Sequence, residues 1–118
     1  MTGISVGCDL VEVCRVKKLT HIDSVFSAEE LAYCAGRLER LAACFAVKEA
    51  FVKAVKTGFG GIRPLDITLS HEAGGAPYIV LSGRLAERFS DHTFDVSISH
   101  DGGFALAVVI AYQEKVER

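Results

Sequence analysis

Between Arg37 and Thr57 the apolar residues Leu38, Leu41, Ala42, Phe45, Val52 and Val55 recur at helical spacing, and Gly58 follows as a C-terminal stop. No other periodic segment of the chain is as long, so the remaining elements are expected to pack around one long helix. Elsewhere the period is two. Residues 2–13 open with β-branched residues in near alternation, which predicts a strand through about Val6 and an extended segment beyond it. Asp9 and Glu12 break into that later part.

Ser27 followed by Glu30 reads as a capping box that starts a helix ending near Gly36. Residues 65–72 and 77–83 alternate on either side of Gly74-Gly75, as a hairpin does. Residues 84–91 form a short amphipathic helix, and residues 94–100 and 104–112 form two strands joined at Asp101-Gly102-Gly103. The order of strand, helices, hairpin, helix and hairpin predicts an α+β fold, a small antiparallel-rich sheet packed against one long helix and shorter helices. At 118 residues it is read as one domain spanning residues 1–118.

Charge narrows the function. Thirteen basic against 15 acidic side chains give a formal net charge of −2, which excludes a general nucleic-acid coat. Cys8, Cys14, Cys34 and Cys44 contain no C-x-x-C pair and lie in apolar contexts, so they read as reduced cysteines. The opening residues lack a basic region before an apolar core, and no apolar run approaches 18 residues. A cytoplasmic protein without a membrane span is therefore expected.

Within the long helix Phe45, Glu49 and Lys53 are spaced i, i+4, i+8 and share one stripe with Leu38 and Leu41-Ala42. An ordinary Glu-to-Lys pair, worth about 0.3–0.5 kcal/mol, explains the pairing but not its place in an apolar row. A partly buried carboxylate needs a partner, and Mg²⁺ is one option, held by one or two carboxylates with phosphate and water. Asp9 at the strand end would supply the second carboxylate, and Lys53 would reach the same phosphates. His100 closes a strand at a glycine-rich turn, where its ring could face an anion. Gly58 and Gly60 follow the helix and permit close backbone approach by a ligand. Arg15, Lys17 and Lys18 form a local basic patch suited to an acidic partner. On these residues alone, another Mg²⁺-dependent phosphate-ester enzyme and a non-catalytic binding module stay open.

Three blocks in order resemble the 4′-phosphopantetheinyl transferases of the short holo-(acyl carrier protein) synthase type: GCDLVEVCRV at 7–16, FAVKEAFVKAVKTGFG at 45–60, and DVSISHDGGFALAVVI at 95–110. The resemblance implies transfer of the 4′-phosphopantetheine arm of coenzyme A to a serine of an apo acyl carrier protein, releasing adenosine 3′,5′-bisphosphate. The carrier would serve fatty acid or polyketide biosynthesis. It further implies that Asp9 and Glu49 are the Mg²⁺ ligands and, with Lys53, the catalytic set. Lys48, Lys53, His100, Gly58 and Gly60 become coenzyme contacts, and Arg15 faces the carrier protein. The resemblance also implies a homotrimer, typical of family members of this length, with active sites in clefts between neighbouring subunits. One departure stands out: many relatives carry arginine immediately before the signature phenylalanine, where this chain has Cys44. A phosphate contact made by that arginine would need another cation here.

Overall fold

The computed structural model describes residues 3–56 and 60–113. In chain order the elements are β1 (Ile4–Glu12), α1 (Ala28–Cys34), α2 (Leu38–Val55), β2 (Ile67–His71), β3 (Pro77–Leu81), α3 (Gly83–Arg88), β4 (His92–Asp101) and β5 (Phe104–Gln113). Short 3-10 turns occupy Val13–Lys18, Ile22–Ser24 and Pro64–Asp66. The α+β architecture read from the sequence is the one observed: α2 packs on an antiparallel sheet of order β1-β5-β4, and β2-β3 pair separately.

β1 is longer than the strand expected to end near Val6. Its ladder with β5 runs from Ile4↔Tyr112 to Glu12↔Phe104, so long-range pairing holds Asp9 and Glu12 inside the strand. The turn between β4 and β5 has Gly102 at φ 57° and Gly103 at φ 84°, both left-handed, as a tight hairpin turn requires. The capping box is present: the Ser27 hydroxyl accepts from Glu30 N–H at 3.1 Å, and Glu30 Oε1 accepts from Ser27 N–H at 2.9 Å. α2 ends before the expected glycine, because Lys56 itself takes the left-handed conformation at φ 62°. Gly58 lies outside the described residues.

α2 is central. Ala43, Ala46, Val47, Ala50, Phe51 and Ala54 are all buried, and Ala105, Ala107, Val109 and Ala111 of β5 meet the helix from the sheet. Alanine on both surfaces permits close approach, while Phe51 fills the end of the core against Phe94, 4.8 Å between centroids. The outer face of the sheet carries no such cover: Val6 and Leu10 of β1 lie opposite Ile110 and Leu106 of β5, and Val6 is 61% exposed. Among the described residues no helix is long and apolar enough to cross a membrane.

Candidate functional site

Gly7 and Asp9 share the inner face of β1, toward α2. A Cβ at Gly7 would collide with Ala50 O and Ala54 N of α2 and would sit 3.0 Å from Lys53 Cβ. The missing side chain therefore lets the helix backbone lie directly on the strand. That contact brings the turn from Glu49 to Lys53 beside Asp9. Lys53 Nζ donates to Asp9 Oδ1 and to Cys8 O, both at 3.0 Å. The Asp9 side chain is only 17% exposed and that of Lys53 54%, so the carboxylate lies inside and the ammonium at the rim.

Glu49 belongs to the same group. Burial pushes its carboxyl up and the charge of Asp9 adds to this, with Lys53 and Arg15 pulling the other way. The charges of Asp9, Lys53 and Arg15 thus all reach Glu49. The stripe itself is less buried than expected: Phe45 and Glu49 are half-buried and Lys53 is exposed, placing the row at the margin of the core. The strand-end position expected for Asp9 is also corrected, since it sits within β1. Two crowded carboxylates, one held above its ordinary range, form an all-oxygen donor set that fits Mg²⁺ and leaves most of its coordination shell for phosphate and water.

Lys48, expected to contact phosphate, points elsewhere. Its ammonium is 1% exposed and donates to Glu30 Oε1 at 2.9 Å, to Pro64 O at 2.8 Å and to Ile67 O. Successive helical residues diverge by about 100°, so Glu49 faces the sheet margin while Lys48 enters the interior. All three ammonium donors are occupied, which corrects the phosphate-contact assignment. Glu30 also accepts from Leu69 N–H at 2.9 Å and the Cys44 thiol at 3.0 Å. Burial raises the Glu30 carboxyl, but the Leu69 N–H, Lys48, the Ser27 N–H and the Cys44 thiol together hold it below its usual range. Cys44, buried beside it, has its thiol pushed far up by burial and by the Glu30 charge. Glu30 was legible only as a cap, and a lysine directly after Ala46-Val47 in an apolar helix was the available sign of this network.

His100 is exposed at the end of β4 and lies near the first turn of α2, where it influences Glu39. It lines a cavity of about 320 Å³ together with Arg40, Tyr33, His71, Cys44 and Pro77. Positions 40 and 49 of α2 are separated by ~14 Å along the helix axis. Within one chain His100 is therefore not gathered with Asp9 and Glu49. Arg40 and His71 carried no sequence signal, because five separate elements build this cavity.

The sequence model of the 4′-phosphopantetheinyl transferase superfamily matches residues 5–109. The chain belongs to this superfamily. A holo-[acyl-carrier-protein] synthase of a Sulfurovum species is 38% identical over 89% of this chain and 93% of that relative. The crystal structure of the Helicobacter pylori holo-[acyl-carrier-protein] synthase in complex with coenzyme A matches with TM-score 0.83 and 34% identity, covering 91% of this chain and 99% of that one. A Bacillus anthracis synthase in complex with CoA (3′,5′-ADP) matches with TM-score 0.79 and 31% identity over 93% and 96%. The transferase motifs map onto the geometry unevenly. The N-terminal block supplies Gly7 and Asp9 on one strand face and Arg15 on the following 3-10 turn, exposed like Lys17 and Lys18. The helical block supplies Glu49 and Lys53 to the site and Lys48 to the core. Gly60 lies exposed in the turn after α2.

Proposed function

We propose that the chain transfers the 4′-phosphopantetheine group of coenzyme A to a serine of an apo acyl carrier protein, with Asp9, Glu49 and Lys53 as the reacting set. The observation that carries this reading is the convergence of two carboxylates and an ammonium where α2 lies on Gly7. Mg²⁺ held by Asp9 and Glu49 would neutralise the coenzyme's pyrophosphate. Lys53, at the rim, draws the same pyrophosphate in and stabilises charge on the departing adenosine 3′,5′-bisphosphate. The serine oxygen bonds to the β-phosphorus, its proton is released, and the leaving bisphosphate takes the electron pair. Arg15, exposed beside this set with Lys17 and Lys18, meets the acidic surface of the carrier.

The assay is a mixture of purified protein, coenzyme A, Mg²⁺ and apo carriers from fatty acid and polyketide systems, read by mass spectrometry. The expected result is a mass gain of one phosphopantetheine, abolished by a chelator and restored by Mg²⁺. No gain on any carrier overturns the assignment.

The reading includes a homotrimer in the cytoplasm, with each active site shared by neighbouring copies. Two observations support the assembly. Val6, Leu10, Leu106 and Ile110 form an exposed apolar face on the sheet, and the His100 cavity and the Asp9 set lie apart in a single chain. Sedimentation of the wild type is expected at about three times the 12.7 kDa chain mass. Val6→Glu is expected to sediment as a monomer and to lose transfer. A Val6→Glu protein sedimenting like wild type contradicts this interface.

A further inference from the structure

Ser5, Gly7 and Asp9 alternate along the inner face of β1, and all three meet the end of α2. Gly7 seats the helix backbone at Ala50 and Ala54, and Asp9 takes the Lys53 ammonium. The Ser5 hydroxyl donates to Ala54 O at 2.6 Å, across 49 positions of sequence. The last carbonyls of a helix have no partner inside it. Here Lys56 turns left-handed and its N–H returns to Lys53 O, while Ser5 serves the next carbonyl, that of Ala54. The strand thereby completes a cap that the helix backbone begins.

Lys53 projects from this same last turn, and its ammonium reaches Asp9 Oδ1 and Cys8 O from an exposed side chain. A long side chain at a rim is only as well placed as the turn that carries it, and terminal turns fray. Glu49 stands one turn earlier, directly before Ala50, where the helix is already seated on Gly7. We propose that Ser5 is a positioning residue for Lys53: its hydroxyl pins the last turn of α2 to β1 and so holds the ammonium beside Asp9. The proposal rests on the transferase reading above. Ser5 acts through Ala54 O, so its removal should impair what Lys53 does and leave the metal-binding role of Asp9 and Glu49 intact.

The test is a double-mutant cycle between Ser5 and Lys53. Ser5→Ala is expected to lower kcat/KM for coenzyme A by about 3- to 10-fold, with the Mg²⁺ concentration for half-maximal rate unchanged. Ser5→Thr keeps the hydroxyl, and its extra methyl has room in a cavity of about 260 Å³ beside Ser5 and Ala54, so it should restore the rate. In a Lys53→Met background Ser5→Ala should cost nothing further. A loss that persists at full size in Lys53→Met, a loss that threonine does not rescue, or wild-type kinetics in Ser5→Ala overturns the proposal. If Ser5→Ala does not fold, Ser5→Cys, with its weaker donor, takes its place in the cycle. Should no carrier be modified, the transferase reading fails by itself and calorimetric binding of coenzyme A decides on Ser5. Weaker binding in Ser5→Ala that disappears in the Lys53→Met background supports the positioning role, and equal or absent binding in wild type and Ser5→Ala overturns it.

Discussion

Asp9→Ala and Glu49→Ala should each lower the rate of transfer to a carrier protein by roughly 100- to 1,000-fold or more. Under the proposed function both residues act on one pyrophosphate, so the double variant should be little worse than either single one. Stability should move differently. Glu49 is raised by burial and by Asp9, so its charge is disfavoured in the folded chain at neutral pH. Glu49→Gln keeps the shape and removes that charge. Its melting temperature, measured without Mg²⁺, should therefore equal or exceed that of wild type even though transfer is lost. Retained wild-type turnover in either alanine variant sinks the ligand assignment.

Lys48→Met is expected to have the largest effect on stability, about 3–5 kcal/mol in urea unfolding, or roughly 10 °C or more in melting temperature. It strands the Glu30 carboxylate in the interior and leaves Pro64 O and Ile67 O without the ammonium they accept from. Lys48→Met with Glu30→Gln should recover part of the loss, because no unpaired charge then remains buried. The pH dependence has a definite sign. A depressed Glu30 carboxyl stabilises the fold above the unfolded-chain value, and that contribution disappears as pH falls through the folded value. Wild type should lose stability steeply in acid, and Lys48→Met less so. A Lys48→Met protein as stable as wild type would show that the buried pair does not hold α1, α2 and β2 together.

Much of this molecule was legible because local periodicity and turn chemistry agree with its tertiary packing. The long helix and both hairpins followed from spacings of 3.6 and 2 and from glycines at left-handed turn positions. The length of β1 was not, since Asp9 and Glu12 stay extended only through pairing with residues far along the chain. The same limit separated Lys48 from Glu49. Side by side in sequence they look alike, and what distinguishes them is a carboxylate at Glu30, 18 positions away. Arg40 was invisible for a related reason: its cavity exists only once α1, α2, β2, β3 and β4 are assembled.

Gly7 has a mechanical consequence. It acts as a shim of zero thickness between β1 and α2, so the spacing of Asp9 from the turn that carries Glu49 and Lys53 is set by backbone touching backbone. Backbone contacts are stiff, unlike side chains that can change rotamer. Even an added methyl would lift the helix and carry Glu49 and Lys53 away from Asp9, changing the spacing of the set without removing any charged residue.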